Sequence, residues 1–266
     1  MHLFRAKAKR SRPERGKIVA MKPETIEFLL NLNRDFYDTY AKSFSSTRFT
    51  IQPGIRCLVP QLLEVDSVLD LGCGNGNLAK VLVDQGFKGA YLGLDNSLSL
   101  LQEAKKALPE NGSDRFVFRQ ADLSALFESL PQQVDINVIT CFAVIHHFPA
   151  KPFLDQFFRL AAQTLKENGR LFLSTWQVKN NLRLRERIKP WSTLLLNDTD
   201  FSEDDLLLDW RADPSQPTRF RYVHHYDSVV LRESGLSAGL ILEDEFFADG
   251  KEGNLALYQV WQKPST

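Results

Sequence analysis

"VLDLGCGNGNLAKVL", residues 68–82, decides the fold of this chain of 266 residues. An apolar run ends at Asp70, and glycines then stand at every second position, as Gly72, Gly74 and Gly76. Glycine adopts backbone conformations that other residues avoid, and it lets a ligand lie against bare main chain. Apolar residues after the loop continue at helical spacing, so the N-terminus of a helix points at the same ligand. The stretch predicts a strand, a ligand-binding loop and a helix, in that order.

Strands and helices alternate on the C-terminal side of this loop. The pattern predicts strands over 67–71, 90–94, 116–119, 135–140 and 170–175, with helices over 77–84, 99–108 and 151–166. Short apolar strands separated by amphipathic helices are typical of a parallel sheet covered on both faces. Two later strands, 240–247 and 255–262, flank "ADGKEGN", a stretch that suits a hairpin. We therefore predict an α/β fold: a doubly wound, Rossmann-like sheet of seven strands, mostly parallel, with an antiparallel hairpin at its C-terminal edge.

The length of the chain fits one large domain. We assign residues 23–266 to that domain, with N-terminal helices over 23–64, one of which is predicted over 55–63. An insertion over 177–222 is polar and poorly periodic. Residues 1–22 hold eight Lys or Arg against one acid, although the whole chain has no net charge. This segment is either an arm that neutralises RNA phosphates or a tail without fixed structure.

Composition excludes several classes of protein. The uncharged stretch 136–150 is too short to span a bilayer, and no apolar signal-peptide core follows the first methionine. Cys57, Cys73 and Cys141 are widely spaced, so they form neither a disulfide framework nor a CxxC metal site. We expect a cytoplasmic protein without membrane association.

Two histidine pairs are the remaining candidate metal ligands. His146 and His147 leave the fourth predicted strand, and His224 and His225 follow the insertion. Adjacent histidines do not easily chelate one ion together, and no carboxylate or cysteine stands at ligand spacing. We expect no metal site.

Carboxylates follow the first three predicted strands, as Asp70, Asp95 and Asp122. Asp95 is placed to accept hydrogen bonds from ribose hydroxyls, as acidic residues do at this position. Asp122 is placed to read an adenine amino group, with Leu123 packing on the ring. Asn77 stands where a dinucleotide fingerprint has its third glycine. The carboxylates suit a ligand with a positively charged sulfonium better than a pyrophosphate.

Four blocks in order, "DLGCGNG", "LGLDNS", "QADL" and "DINVITCFAVIHH", resemble the class I S-adenosylmethionine-dependent methyltransferases over roughly 65–176. The alternative is a dinucleotide-binding fold with a degenerate loop. The resemblance implies S-adenosylmethionine as the cofactor and methyl transfer as the reaction. It places the cofactor-binding residues at Tyr40, Asp70, Gly72, Cys73, Gly74, Gly76, Asp95, Asn96, Asp122, Leu123 and Ala143.

Other segments resemble one subfamily, the methyltransferases that esterify 5-carboxymethyluridine at the tRNA wobble position. These segments are "YDTYAKSFSSTR" (37–48), "AVIHH" (143–147), "DLLLDW" (205–210) and "RYVHHY" (221–226). The resemblance implies tRNA as a partner and, as in eukaryotic members, a small activator protein. It places the acceptor site at Arg48, His147, Trp176, Asp205, Arg221, Tyr222 and His224. The chain departs from the subfamily pattern at Asp209, Val223 and Tyr226, and the stretch 192–203 has no counterpart there.

Ester formation on a carboxylate needs few catalytic groups. A carboxylate is a competent nucleophile at neutral pH, so no general base is required. Arg48 or Arg221 would hold the acceptor anion, while Tyr222 and Trp176 would orient the base. Two alternatives stay open: methyl transfer to a small carboxylate, phenol or amine, and a cofactor-binding scaffold that depends on a partner protein.

Overall fold

The computed structural model describes residues 21–46, 50–109, 114–125, 136–149, 151–210 and 218–265, with side chains omitted for 40–46. The basic segment 1–20, Arg48 and the side chain of Tyr40 therefore lie outside the described residues.

Ten strands form two sheets in this part of the chain. Their bounds are β1 Ser67–Leu71, β2 Ala90–Asp95, β3 Phe116–Gln120, β4 Ile136–Phe142, β5 Leu165–Trp176, β6 Ile188–Lys189, β7 Asp205–Trp210, β8 Arg219–His224, β9 Ile241–Ala248 and β10 Ala256–Gln262. The larger sheet has seven strands in the order β3-β2-β1-β4-β5-β10-β9. Its first five strands are parallel, and β10 runs antiparallel to both β5 and β9. The predicted fold class is confirmed.

Helices cover both faces of this sheet. They are α1 Pro23–Ser46, α2 Pro53–Leu63, α3 Asn77–Asp84, α4 Leu98–Ala107, α5 Lys151–Thr164, α6 Leu182–Arg185 and α7 Ser228–Ser237. One apolar cluster includes Leu154 and Trp261, and a second includes Leu62 and Leu82. Each fully buried side chain of this size contributes about 1.5–3 kcal/mol. Within the described ranges, no helix combines the length and apolar character needed to cross a membrane.

The insertion is more regular than predicted. Strands β6, β7 and β8 pair antiparallel in a second sheet of three strands. Strand β7 is not predicted from the sequence, because both faces of this strand are buried. Leu206 and Leu208 pack beside Trp176, whereas Leu207 packs beside Leu29 of α1. A strand buried on both faces lacks the alternation of polar and apolar residues that marks a half-exposed strand.

Two elements begin earlier than predicted. Helix α2 begins at Pro53 rather than at residue 55, because proline suits the first helical position and Asp249 Oδ1 accepts the Gly54 N–H at 2.9 Å. Strand β5 begins at Leu165 rather than at residue 170, with an irregularity in its pairing with β4 before the regular ladder starts. Neither difference moves the site.

Candidate active site

A cavity of about 310 Å³ lies at the carboxyl ends of the parallel strands. This is the edge at which open α/β sheets bind ligands. The loop after β1 and the ends of β2 and β3 line one half of the cavity. The residues that follow β4 and β5 line the other half, and α1 contributes Asn33, Arg34 and Tyr37.

The glycine loop is folded back against β2. The N–H groups of Gly72 and Cys73 both donate to the carbonyl oxygen of Leu94, at 2.7 and 3.0 Å. Gly72 has φ +76°, and a Cβ there would overlap the Cγ2 methyl of Val144. Gly74 has φ +54°, and a Cβ there would meet no atom within 4 Å, on the wall of the cavity. The first glycine lets the loop pack, and the second gives a ligand access to bare main chain.

Asp95 ends β2 inside the cavity. Its Oδ2 accepts the N–H of Gly74 and its Oδ1 accepts the N–H of Ser97, each at 2.9 Å. Burial raises the pKa of Asp95, and the backbone hydrogen bonds oppose that rise. The carboxylate is thus fixed by main-chain donors at the position predicted to bind ribose hydroxyls.

Asp70 lies beneath the loop and is almost fully buried. It accepts hydrogen bonds from the Tyr91 hydroxyl and, at 2.7 Å, from Thr140 Oγ1. Burial raises the pKa of Asp70 to about 6, although these two hydrogen bonds work in the opposite direction. Near neutral pH the floor of the cavity therefore still carries negative charge.

Asp122 anchors α1 as well as facing the cavity. Its Oδ2 accepts from the Arg34 guanidinium at 2.6 Å, and its Oδ1 accepts from the backbone and hydroxyl of Ser124. Partial burial works to raise the pKa of Asp122, but the Ser124 hydrogen bonds and the Arg34 charge outweigh it and lower the pKa. Arg34 was not among the predicted site residues.

A chain of hydrogen bonds fixes His147 at the other half of the cavity. Nδ1 of His147 lies 3.0 Å from the Tyr222 carbonyl oxygen, and Nε2 lies 2.7 Å from the Tyr37 hydroxyl. Because a carbonyl only accepts, we assign the imidazole proton to Nδ1, and Nε2 then accepts from Tyr37. Asn33 holds the same segment: its Oδ1 accepts the Tyr222 N–H at 2.8 Å, and its Nδ2 donates to the Tyr222 carbonyl at 3.1 Å.

Trp176 ends β5 and lines the cavity between His147 and β10. Its indole stacks on the His146 ring at 4.7 Å between centroids. The Arg221 guanidinium lies 4.4 Å from the indole centroid, and it also contacts Phe36 and Trp210. Only 2% of Arg221 is exposed, and it does not line the cavity. Its contact with Trp176 is a cation–π interaction behind the cavity wall.

Asp205, Tyr222 and His224 form a separate network in the second sheet. Oδ1 of Asp205 accepts from the Tyr222 hydroxyl at 2.6 Å and lies 2.8 Å from His224 Nδ1, while Ser202 donates to Oδ2. Burial works to raise the pKa of Asp205, but these hydrogen bonds and the His224 charge lower it to about 2. The network joins β7 to β8 and does not line the cavity.

Ala143 has a strained backbone beside the cavity, with φ +57°. Such a conformation costs a non-glycine residue about 1–3 kcal/mol and persists only where neighbours hold it. The Ala143 N–H donates to the carbonyl and to the hydroxyl oxygen of Ser174, at 3.1 and 3.0 Å. The turn directs the chain from β4 toward His147.

The cavity brings together most of the predicted cofactor residues and some of the predicted acceptor residues. Those that line it are Asp70, Gly72, Cys73, Gly74, Asp95, Asn96, Asp122, Leu123, Ala143, His147 and Trp176. Gly76 does not line it and abuts Ala104 of α4 instead. Sequence reasoning missed Asn33 and Tyr37, whose i, i+4 spacing on α1 puts two polar side chains on one helix face, next to buried Leu29.

The charges of the cavity fit S-adenosylmethionine, whose sulfonium and ammonium groups are cationic. Five aspartates are among the described residues that line it: Asp38, Asp70, Asp95, Asp122 and Asp249. Such a cavity attracts a cationic ligand. No group of three or more His, Cys, Asp or Glu in the described ranges is arranged to hold a metal ion.

A family model described as a methyltransferase domain matches residues 64–216. The chain belongs to this methyltransferase family. S-adenosylmethionine is the cofactor of this methyltransferase.

The methyltransferase is similar to curated relatives named ubiquinone biosynthesis O-methyltransferase. The protein from Leptothrix cholodnii is 32% identical over 108 residues, which cover 41% of this chain and 43% of the relative. The protein from Pasteurella multocida is 29% identical over 138 residues, which cover 48% and 50%. The chain thus spans about half the length of the curated relatives that it matches.

Solved structures share the fold. An S-adenosylmethionine-dependent methyltransferase from Methanosarcina mazei superposes with a TM-score of 0.60 at 19% identity, covering 82% of this chain and all of that one. A methyltransferase in complex with the Haloferax volcanii Trm112 methyltransferase activator also gives a TM-score of 0.60 at 19% identity, covering 88% of this chain and 98% of that one.

Proposed function

We propose that this methyltransferase esterifies the carboxylate of a carboxymethylated wobble uridine in tRNA. One observation carries the proposal: the separate sequence segments that resemble the tRNA enzymes meet at one end of the cavity. Tyr37 of the first segment contacts His147 of the second, and the backbone of Tyr222 in the last segment contacts both His147 and Asn33. Residues 33 and 222 are 189 positions apart in sequence.

The protein's part in this reaction is binding and alignment. The bound cofactor supplies an electrophilic methyl group. Gly74 and Asp95 would hold the cofactor's nucleoside part, and His147 and Trp176 would form the wall against which a planar base lies. A carboxylate attacks without losing a proton, so orientation carries the rate enhancement. Correct orientation of reacting groups is worth about 7–11 kcal/mol in well-aligned intramolecular reactions.

Arg221 takes a different role from the one predicted. Because it lies behind Trp176, it acts on the acceptor through the indole, as a positioning residue. Its guanidinium lies 4.4 Å from the indole centroid and so places a positive charge behind this wall. Arg48, which lies outside the described residues, stays a predicted anchor for the acceptor carboxylate.

The test is methyl transfer from labelled S-adenosylmethionine to intact tRNA, with RNase-digested tRNA as the matched acceptor. We expect label in intact tRNA that mild base releases, because an ester hydrolyses where an ether or a methylamine does not. Trp176→Ala should lose this transfer while cofactor affinity stays within about threefold. Arg232→Ala, on the exposed surface of α7, is the control and should behave as the wild type. Transfer to digested but not to intact tRNA would exclude the proposal.

A second candidate is methylation of a hydroxyl on a small aromatic molecule. The cavity favours it through its limited size and through α1, which lies across it and leaves Arg221 outside. The names of the curated relatives point to the same chemistry. Transfer to tRNA should weaken steeply with salt because RNA binding releases counterions, whereas transfer to a neutral small molecule should not.

A small activator protein belongs to the tRNA proposal. The Haloferax fold neighbour was solved in complex with such an activator, and the resemblance of this chain to the tRNA enzymes implies one. Turnover that requires a second protein, with cofactor already bound by this chain alone, would establish the partner. A cytoplasmic location stays a prediction.

A further inference from the structure

Five basic side chains lie at one end of the second sheet, and we call them the basic face. They are Arg183, Arg185, Arg187, Lys189 and Arg219. The same stretches, 182–189, 209–210 and 219, hold two acids, Glu186 and Asp209. Arg183 and Arg185 of α6 are exposed, and so is Arg219 at the start of β8. Positive charge on this face therefore exceeds negative charge and is open to solvent.

Strand pairing brings the basic face together. Helix α6 ends two residues before Arg187, whose carbonyl oxygen accepts the N–H of Asp209 at 3.0 Å. The Asp209 carboxylate lies 3.4 Å from Lys189 Nζ. Across β7 and β8, Trp210 pairs with Arg219. The basic face is thus a fixed part of the second sheet and not only a run of charges in the sequence.

The opposite end of this sheet carries acids. Strand β7 begins at Asp205, directly after Glu203 and Asp204. Asp198 lies at the same end: it accepts the Trp191 N–H at 2.7 Å, and the Trp191 indole N–H donates to the Asp205 carbonyl oxygen at 3.4 Å. Strand β7 therefore has acids at its start and the basic face at its end. Such a separation of charge orients a polyanion on the surface.

The basic end is connected to the wall of the cavity. The Arg221 guanidinium lies 4.4 Å from the ring centroid of Trp176, which lines the cavity, and 5.3 Å from that of Trp210. The Arg187 guanidinium lies 5.5 Å from the Trp210 centroid. From α1, Phe36 contacts Trp210 at 6.0 Å between ring centroids. Alternating rings and guanidinium groups therefore join the cavity wall to the basic face.

A nucleic acid would need a surface of this kind, because the cavity itself does not attract phosphate. Five aspartates are among the described residues that line the cavity, and their charges repel a polyanion. A cavity of about 310 Å³ also encloses only a small part of a tRNA, so most of the RNA backbone would lie outside it. Contacts with phosphates supply much of the affinity for nucleic acids.

We propose that the basic face binds the phosphates of the RNA strand whose wobble nucleotide enters the cavity. The proposal rests on the proposed function, and it names the surface of this chain that holds the tRNA. Four of the five basic residues are arginines. The planar guanidinium group donates two parallel hydrogen bonds to one phosphate, which lysine cannot do.

Binding of an unmodified tRNA transcript to the full chain tests the proposal, because it requires neither the modified nucleotide nor methyl transfer. Affinity is measured by filter binding at about 50 to 200 mM salt. The double variant Arg183→Ala, Arg185→Ala removes two charges from the exposed surface of α6. We expect the slope of log affinity against log salt to shrink by about 2, since each phosphate contact contributes about 0.9. Affinity at about 0.1 M salt should fall about tenfold or more.

The double variant Lys105→Ala, Arg159→Ala is the matched control. It removes the same charge from exposed positions on α4 and α5, which pack in the two apolar clusters on either side of the large sheet. This control should bind the transcript as the wild type does. Both double variants should keep the wild-type affinity for S-adenosylmethionine in calorimetry. Residues 1–20 are the same in every variant, so their charges cancel in the comparison.

The outcomes separate this proposal from the proposed function. Equal loss in the two double variants, or loss in neither, overturns the basic face, while methyl transfer to tRNA by the wild type would still support the proposed function. Selective loss in the arginine variant supports the basic face even if the wild type transfers no methyl group to tRNA, a result that would contradict the proposed acceptor. Displacement of the transcript by poly-glutamate at equal charge would assign the face to an acidic protein and overturn the RNA proposal.

Discussion

Alanine at Gly72 and at Gly74 should separate folding from cofactor binding. Both positions have positive φ, which costs an L-residue about 1–2 kcal/mol. At Gly72 the added Cβ also overlaps Val144, and overpacking of this kind costs about 1–3 kcal/mol more. Gly72→Ala should therefore lower the free energy of unfolding by about 2–5 kcal/mol, and Gly74→Ala by about 1–2 kcal/mol. The Cβ of Gly74→Ala enters open cavity, so this variant should lose at least about tenfold in cofactor affinity, equal to about 1.4 kcal/mol.

Urea unfolding followed by tryptophan fluorescence measures the first quantity, and calorimetry with S-adenosylmethionine measures the second. Val144→Ala in the Gly72→Ala background should restore the part of the unfolding free energy that the overlap with Val144 removes. The cost of Val144→Ala alone is first subtracted. Equal destabilisation by the two glycine variants, or no recovery in the double variant, would refute the assignment of the Gly72 effect to Val144.

Three further predictions follow from the charged groups. Asp70→Asn should remove a pH dependence of stability. The folded protein holds the Asp70 proton to about pH 6, whereas the unfolded chain releases it near pH 3.8. The free energy of unfolding of the wild type relative to the variant, measured in urea titrations, should therefore fall by about 3 kcal/mol as pH rises through this interval. Asp205→Asn should show a pH dependence of the opposite sign, because the Asp205 pKa is lowered to about 2. The free energy of unfolding of the wild type should fall by about 2 kcal/mol relative to that of the variant as pH falls from about 4 to 2. Parallel acid-unfolding curves for the two proteins would contradict this. Arg34→Ala breaks the half-exposed ion pair with Asp122, so the free energy of unfolding should change by less than about 1 kcal/mol. The cofactor should dissociate faster from this variant in stopped-flow measurements. An unchanged dissociation rate would mean that α1 does not close the cavity.

The cofactor half of the site could be predicted because its signals are local. Asp70 and the glycines stand within one strand, loop and helix, and Asp95 and Asp122 each follow a strand whose apolar run is evident. In a parallel sheet such strand ends meet at one edge, so their positions in sequence fix their positions in space. The boundaries of β1 and α3 were predicted to the residue for the same reason.

The acceptor half depends on information that a sequence does not display. Successive residues of a strand face opposite sides, so Arg221 and Tyr222 of β8 cannot both face one cavity. The sequence does not say which sheet β8 belongs to. In the structure neither side chain lines the cavity, and the Tyr222 carbonyl makes the contact instead. Asn33 and Tyr37 fall within the predicted N-terminal helices, and a helical pattern does not indicate which part of the fold the helix covers.

The main-chain contacts of residue 222 bear on which side chains this position can carry in related enzymes. His147 and Asn33 bond to main-chain atoms of that residue, and every amino acid except proline supplies both of them. Natural variation at 222 can therefore alter the network with Asp205 without turning the imidazole. A substitution at 222 changes the packing of the second sheet and the bond to Asp205, whereas the contacts of Asn33 and His147 with this residue depend on its main chain alone.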